Sequence, residues 1–277
     1  IDLPGTYSLT AYSVEEVVAR NVIINEKPDV VVDIIDSSNL ERNLYLAVQL
    51  MELRIPLVFV FNMKDMAQEM GIKIDIKSLS HLFGVPIVET VGSKGDGVKN
   101  ILDEAIKAAK VHDIKYPIIT YDKVIEKYVN SVEELIKQHS TNIENYNTRW
   151  LAVKLLEGDK DVMQVVPSPI VAEEVKKAEI DIDKMLGDSP ETAIASARYG
   201  FISGACQECV TTTVEARHNM SDAIDSILVN RVLGIPIFLG LMYLVFQLTF
   251  TLGDPFMGWI EQFFVFLGDK ASVLITH

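Results

Sequence analysis

Two nearly continuous apolar runs stand out in the first part of the chain. Residues 29–36 and 56–62 are dominated by Val, Ile and Phe, and between them apolar side chains recur at helical spacing from Leu40 to Met51. Short apolar runs of this kind are typical of parallel strands that are covered on both faces. The pattern therefore predicts an α/β domain over residues 1–112, with both runs as central strands.

Two capping boxes mark where helices of this domain should begin. Ser13 and Glu16 are spaced so that each side chain can bond the other residue's backbone amide, and Ser38 and Glu41 have the same spacing. The first box predicts a helix from Val14 to Ile24. The second box predicts the start of the helix that connects the two strands.

The middle of the chain, residues 120–220, has almost no strand pattern. Its apolar residues repeat at helical period, and its breaks fall at residues 167–169 and 187–190, which are rich in Gly, Ser and Pro. Proline is tolerated at the first position of a helix because its missing N–H would have no partner there. We therefore expect a separate all-α domain of four or five helices.

A long uncharged segment follows this helical region. From Val232 to Gly253 there is no Asp, Glu, Lys or Arg, and about 20 consecutive apolar residues suffice for a helix to cross the hydrocarbon core of a bilayer. The pattern predicts a transmembrane helix over residues 231–253. A buried helix of a large soluble core is the alternative.

The charges that flank this segment indicate its orientation. Arg217 and Arg231 lie before it, whereas Asp254 is the first charge after it. Because short cytoplasmic flanks carry the excess of basic residues, residues 1–230 are predicted to be cytoplasmic. Residues 254–277 mix aromatic side chains with acids, so we expect either an interfacial helix or the start of a membrane domain.

Composition narrows the classes of function. The formal net charge is −14, and an acidic surface repels a polyanion, so no nucleic-acid partner is expected. The two cysteines, Cys206 and Cys209, are too few for a disulfide framework and fit a reducing cytoplasm. The five histidines are scattered and show no metal-binding spacing.

The candidate chemistry begins with Asp2-Leu3-Pro4-Gly5. This run has the D-x-x-G form that follows a strand in P-loop GTPases. Asp2 would hold a magnesium ion through water, and the amide of Gly5 would sense a γ-phosphate because no side chain blocks its approach. A D-x-P-G sequence is also a common structural turn, so this run supports a nucleotide site only together with the elements that follow it.

The second element is Asn62-Met63-Lys64-Asp65, at the end of the second apolar run. Parallel sheets bind ligands at the carboxyl ends of their strands, and the carboxylate of Asp65 can accept from both N–H groups on the edge of guanine. Adenine presents the wrong edge and would leave this carboxylate unpaired. Most GTPases have Lys at the position of Met63. The structural alternative is a polar turn that Asp65 caps.

The third element is the loop Gly92-Ser93-Lys94, which follows a short predicted strand at residues 86–88. It is similar to the S-A-K loop that backs a guanine base, although Gly92 stands where Ser is usual and Ser93 where Ala is usual. A plain Gly-rich turn would explain the same residues. The three elements nevertheless follow one another in the order that a guanine-nucleotide-binding domain requires, each after a predicted strand.

One motif of such domains is missing from the sequence. Phosphate binding uses G-x-x-x-x-G-K-[ST], whose backbone amides and Lys cradle the β- and γ-phosphates. Gly92 and Gly97 have the right separation, but Val98 follows them instead of Lys. We expect the phosphate loop to precede Ile1 in a longer protein, so this chain alone should bind GTP weakly and hydrolyse none.

Longer runs of the sequence resemble one family, the ferrous iron transport protein B (FeoB) family. They correspond to its second switch, its central strand and helix, two parts of its helical domain, and its membrane entry: residues 2–9, 36–44, 149–159, 197–202 and 225–238. Met63 is itself typical of the family. The resemblance implies a partial P-loop GTPase-like (TRAFAC-type) G domain, then an all-α domain and a transmembrane helix.

The resemblance also implies a function. In this family a G domain, and a helical domain that slows nucleotide release, regulate the passage of ferrous iron across the bacterial inner membrane. The implied cofactors are GTP or GDP and Mg²⁺, and the transported ion is Fe²⁺. The intact protein would be a multi-pass membrane protein and a slow GTPase. Its implied partners are the lipid bilayer, small cytoplasmic Feo accessory proteins and further copies of itself.

Two other functions stay open on the sequence. One is a soluble Era- or TrmE-like GTPase of ribosome or tRNA maturation, which the uncharged segment after Arg231 argues against. The other is a membrane-tethered GTPase regulator that transports nothing. Only polar residues within further membrane helices could separate this second alternative from a transporter.

Overall fold

The structure is a computed structural model that divides into two units, Ile1–Thr213 and Val214–His277. It describes residues 1–10, 13–111, 114, 116–141, 143–212 and 234–275, without the side chains of 252–255 and 266–275. The predicted end of the helical domain and the basic flank before the apolar segment, residues 213–233, lie outside the described residues. Each unit is described separately.

The first unit is built on a three-stranded parallel sheet and a two-stranded antiparallel ribbon. The five strands are β1 (Val31–Asp36), β2 (Leu57–Asn62), β3 (Ile72–Ile74), β4 (Ile87–Glu89) and β5 (Val210–Thr212). The sheet has the order β1-β2-β4, and the ribbon consists of β3 and β5. The helices around the sheet are α1 (Val14–Glu26), α2 (Leu40–Glu52), α3 (Lys64–Glu69), α4 (Ile76–Phe83) and α5 (Val98–Ala108).

Only one of the two apolar runs is a strand covered on both faces. The side chains of β2 are almost fully buried, with Phe59 and Phe61 on one face and Val58 and Val60 on the other. β1 is not a central strand among the described strands. β1 lies at an edge of the described sheet, and its side chain Ile34 is 66% exposed because nothing described covers that face.

The two capping boxes have different outcomes. Ser13 and Glu16 form the predicted box at the start of α1. The second box is not formed, because the side chain of Asp36 accepts from the amide of Ser38 at 2.8 Å and from its hydroxyl at 2.7 Å. The chain therefore makes a short 3-10 turn over residues 37–39, and α2 begins after Asn39 without a side-chain cap.

The described residues of the helical region form five helices, within the expected four or five, and the breaks predicted at residues 167–169 and 187–190 lie where two of them begin. The helices are α6 (Lys123–His139), α7 (Thr148–Leu156), α8 (Lys160–Val165), α9 (Pro169–Leu186) and α10 (Pro190–Cys209). One continuous cluster of buried apolar side chains joins these helices to the sheet and α2. The sequence suggests a separate helical domain, but the helices share their core with the α/β part of the same unit.

The ribbon is a feature that the sequence pattern does not reveal. β5 immediately follows α10 and pairs antiparallel with β3, from Ile72↔Thr212 to Ile74↔Val210. The amide of Asp75 continues the pairing by donating to the carbonyl of Cys209 at 2.8 Å. The ribbon therefore ties the end of the helical region to the segment that follows α3.

In the second unit, the described residues form the long helix α11 (Gly234–Ile275). Its stretch Gly234–Val265 is long and apolar enough to cross a membrane, and its described apolar side chains are exposed. The helix continues without a break past Gly253, where the sequence suggests the end of the span. α11 therefore includes most of residues 254–277, for which the sequence allows either an interfacial helix or the start of a membrane domain.

Candidate functional site

The ends of β2 and β4 bring the second and third sequence elements together. The side-chain oxygen Oδ1 of Asn62 accepts from the amide of Gly92 at 2.9 Å and from the hydroxyl of Thr90 at 3.1 Å. The amide of Lys64 donates to the carbonyl of Thr90 at 3.3 Å. Asn62 therefore holds the loop after β4 against the loop after β2, at the carboxyl edge of the sheet where parallel sheets bind ligands.

Met63 makes the sharp turn between β2 and α3. Its backbone is in the left-handed region, with φ 58° and ψ 34°, which is uncommon for a residue other than glycine. Such strained positions cluster at functional sites. The turn places Asp65 in the first turn of α3, beside the loop that carries Lys94.

Asp65 and Lys94 form an ion pair at this edge. The ammonium of Lys94 lies 2.7 Å from Oδ2 of Asp65, and Oδ1 accepts from the amide of Met66 at 3.1 Å. The hydrogen bond from Lys94 lowers the pKa of Asp65 below its ordinary value, and the same bond raises the pKa of Lys94. Both groups are therefore charged at neutral pH, and the carboxylate can serve only as an acceptor.

The glycines of the third element differ in how strictly they are required. Gly97 has a φ of +76°, and a Cβ there would lie 2.3 Å from the carbonyl oxygen of Glu89. A Cβ on Gly92 would lie 3.4 Å from Oδ1 of Asn62, which is an ordinary contact. The geometry at Gly92 would therefore accept the Ser that is usual there, and the departure from the S-A-K pattern does not distort the loop. Ser93 is exposed.

The first element lies apart from this group of residues. Asp2, Pro4 and Gly5 are exposed, and Leu3 packs partly against the core. No hydrogen bond or ion pair among the described residues joins Asp2–Gly5 to the loops after β2 and β4. The segment that follows is anchored elsewhere, because the amide of Leu9 donates to the side chain of Gln49 at 2.5 Å.

The described residues offer no preformed metal centre. They contain no group of three or more His, Cys, Asp or Glu side chains that could hold an ion. The exposed carboxylate of Asp2 fits the role of a single water-mediated ligand, and phosphate oxygens would have to supply the others. Burial raises the pKa of the Cys206 thiol to about 11 and also raises that of Cys209. Both thiols are therefore protonated and poor metal ligands.

A second set of charged residues, which the sequence does not single out, joins the α/β part to the helical region. Arg20, on the helix after the first element, bonds Asp159 and Asp161, each at 2.5 Å. Arg198 bonds Glu52 with two nitrogens at 2.9 Å and also pairs with Glu157. Arg20 and Asp159 are 139 residues apart along the chain, so no local sequence pattern could reveal this pair.

Comparison with family models matches most of the first unit. Residues 1–105 match the model described as "Ferrous iron transport protein B", and residues 121–211 match the "FeoB cytosolic helical domain". Among curated proteins, a Porphyromonas gingivalis fusion of Fe(2+) transport protein A with the Fe(2+) transporter FeoB is 37% identical over 99% of this chain. The Fe(2+) transporter FeoB of Escherichia coli K12 is 34% identical over 91% of it. The chain spans about a third of the length of these relatives, 34% and 32% respectively.

Solved structures give the same result for the fold. A GDP-bound mutant of the S. thermophilus FeoB G-domain has a TM-score of 0.69 and 32% identity, covering 76% of this chain and 80% of the other. An S. thermophilus structure bound to GDP, AlF4⁻ and K⁺ has a TM-score of 0.67 and 33% identity, covering 74% and 79%. The cytosolic domain of the T. maritima FeoB iron transporter in its GMPPNP form has a TM-score of 0.63 and 27% identity, covering 76% and 79%.

Proposed function

We propose, from the premise that the chain belongs to the ferrous iron transport protein B family, that its sheet edge reads the guanine base of GTP or GDP. Asp65 is the base-reading carboxylate, Asn62 fixes the loop after β4, and residues 92–94 back the base. The observation that carries this proposal is the pair of hydrogen bonds from Gly92 and Thr90 to Asn62, which supports one composite site built from two loops.

The chemistry of Asp65 fits guanine and not adenine. An ionised carboxylate has only acceptors, and guanine presents two adjacent N–H donors, at N1 and at the 2-amino group. Two charge-assisted hydrogen bonds in parallel are both strong and selective for geometry. Adenine offers no such pair of donors, so its binding would leave the carboxylate desolvated without compensation.

The remaining parts of the nucleotide site are proposed on the family pattern. Asp2 would hold Mg²⁺ through water, and Gly5 would contact the γ-phosphate, with Leu3 and Pro4 shaping the turn between them. A phosphate loop encoded before Ile1 would lie between a strand and a helix, which could pair with the free edge of β1 and cover its exposed face. The exposed edge and exposed side chain Ile34 of β1 support this, because isolated sheet edges with apolar faces are normally covered.

Base recognition is testable on the chain itself. Without a phosphate loop the affinity should be weak, so ligand-observed NMR suits the measurement. We expect the H8 resonance of GMP to broaden in the presence of the chain in detergent micelles, and the corresponding resonance of AMP to broaden much less. The variant Asp65→Ala should reduce GMP broadening to the AMP level. Equal broadening of GMP and AMP by the unmodified chain would refute guanine recognition.

For the whole protein we propose GTP-regulated uptake of ferrous iron across the bacterial inner membrane. The relatives reported above are Fe(2+) transporters, so a soluble GTPase of ribosome or tRNA maturation and a tethered regulator are not favoured. α11 is the one helix among the described residues that could span a membrane. The fusion in P. gingivalis supports a small Feo-type accessory protein as a partner.

Transport is tested in cells that lack their own ferrous iron importers. The full gene product should restore uptake of radioactive Fe²⁺ under reducing conditions, and Asp65→Ala should lower the initial rate at equal protein abundance. Normal abundance without any Fe²⁺ uptake would contradict the transport role while leaving guanine recognition intact.

A further inference from the structure

The guanine-reading carboxylate is already engaged in the structure, by a residue of its own site. Oδ2 of Asp65 lies 2.7 Å from the ammonium of Lys94, and Oδ1 accepts from the amide of Met66. A guanine edge needs both carboxylate oxygens as acceptors. The base and the ammonium of Lys94 therefore compete for the same oxygen.

We infer that Lys94 competes with the guanine donors for Asp65, because its ammonium occupies one of the two carboxylate oxygens that the base edge needs. This inference rests on the proposed function and adds a regulatory role to a residue otherwise assigned to backing the base. A positively charged donor opposite Asp65 mimics the guanine N–H edge. It also keeps the carboxylate paired between binding events.

The surroundings of Lys94 are acidic and open to solvent, which favours an ammonium that has left Asp65. The carboxylates of Glu69 and Asp96 both act on it, since each contributes to raising the pKa of Lys94 after the larger effect of Asp65. The side chain is flexible and 67% exposed, so the displaced ammonium can move into water on the acidic side of the site without crossing the core. Its methylene stem would stay near the base while the head group moves.

The size of the expected effect follows from exposure. The pair has exposed fractions of 67% for Lys94 and 33% for Asp65, so water screens it. Exposed ion pairs of this kind account for factors of about two to five in an equilibrium constant. Lys94 therefore weakens guanine binding modestly and does not prevent it.

The chain contains a closely matched control pair. Lys107 and Glu104 lie 2.6 Å apart on α5, with exposed fractions of 70% and 32%. This pair has the same charge, length and exposure as the pair at Asp65, but it lies outside the base-reading loops. Lys107→Met removes one positive charge from the protein without freeing Asp65.

The test compares GMP affinity among variants of this chain in detergent micelles, by the NMR broadening of the H8 resonance. Lys94→Met, which keeps the methylene stem, should lower the Kd for GMP about two- to fivefold. Lys107→Met, which removes one positive charge outside the base-reading loops, should keep the parent Kd. Raising the NaCl concentration should narrow the difference between Lys94→Met and the parent, because salt screens the competing pair.

Two results would overturn the inference, and they are distinguishable. Selective GMP binding by the parent with an unchanged or higher Kd in Lys94→Met would show that Lys94 does not compete, and the proposed function would stand. Equal binding of GMP and AMP by the parent would remove the proposed function and the inference together.

Discussion

The protein uses ion pairs in two regions, and they differ in exposure. At the edge proposed to read the base, Lys94 and Asp65 are exposed by 67% and 33%. Between the α/β part and the helical region, Arg198 is fully buried, and its partners Glu52 and Glu157 are exposed by 11% and 6%. An exposed pair can exchange with water or a ligand, whereas a buried pair cannot separate without leaving an uncompensated charge.

The buried region is balanced in charge. Arg198 and Lys154 face Glu52 and Glu157, and the hydroxyl of Tyr121 donates to Glu52 at 2.8 Å. Burial alone would raise the pKa of Glu157, but the charges of Arg198 and Lys154 outweigh it and lower that pKa. The acids in turn raise the pKa of Arg198. This network fixes α10 against α2, and the exposed pair leaves the base site adaptable.

The largest expected effect is on the buried network. Arg198→Met leaves the carboxylates of Glu52 and Glu157 without their main partner, so the free energy of unfolding should fall by about 3–5 kcal/mol. Urea unfolding followed by the fluorescence of the buried Trp150 measures this change. A loss below about 1 kcal/mol would mean that the network does not hold the two parts together.

Asp33 extends the comparison to a buried carboxylate whose Oδ2 has no hydrogen-bond partner among the described residues. Burial raises its pKa from 3.8 to about 7. The folded state therefore binds this proton more tightly than the unfolded chain, and its stabilising contribution is full below about pH 4 and lost as the pH rises through 7. Asp33→Asn should stabilise the protein by about 2–4 kcal/mol at pH 8 and by little at pH 4. Equal effects at both pH values in urea unfolding would contradict the assigned pKa.

Arg20 pairs with one buried and one exposed carboxylate, so buried and exposed ion pairs can be compared at a single side chain. Its partner Asp159 is 5% exposed, and its partner Asp161 is 48% exposed. Asp159→Asn keeps the oxygen that caps α8 but removes a buried charge, so it should cost about 1–3 kcal/mol. Asp161→Asn should cost less than about 1 kcal/mol. Equal losses from the two variants, measured by urea unfolding, would show that exposure does not govern these pairs.

The smallest expected effect is at the exposed pairs. Lys94→Met and Lys107→Met should each shift the melting temperature by no more than about 2 °C. Differential scanning fluorimetry under matched detergent conditions measures both shifts. A large drop in melting temperature for Lys94→Met alone would indicate that the Lys94–Asp65 pair stabilises the fold.

The sequence predicts most clearly what is encoded locally. The apolar run of β2, the Ser13 capping box and the starts of α9 and α10 all follow from patterns a few residues long, and the structure has them. For β1, the described residues leave one edge and one face uncovered, and an apolar run does not tell which segment of a chain covers them. The same reasoning fails at Ser38, where Asp36 at the end of β1 reaches the amide first.

The candidate site is partly predictable for the same reason. Asn62, Asp65 and Lys94 belong to short motifs, and the structure brings them together. The fully buried charge of Arg198 depends on partners far away in the chain, so no window of sequence reveals it. Thr90 is a further site residue that the sequence does not predict. A single Thr after a strand matches no motif, and only the structure shows its hydroxyl bonded to Asn62.

The most direct measurement of the central claim is a change of base specificity at Asp65. Asp65→Asn replaces one acceptor with a donor, which suits xanthine, where a carbonyl oxygen stands in place of the 2-amino group of guanine. In ligand-observed NMR, we expect this variant to lose GMP broadening and to gain XMP broadening relative to the parent chain. Unchanged preference for GMP in Asp65→Asn would contradict the assignment of Asp65 as the residue that reads guanine.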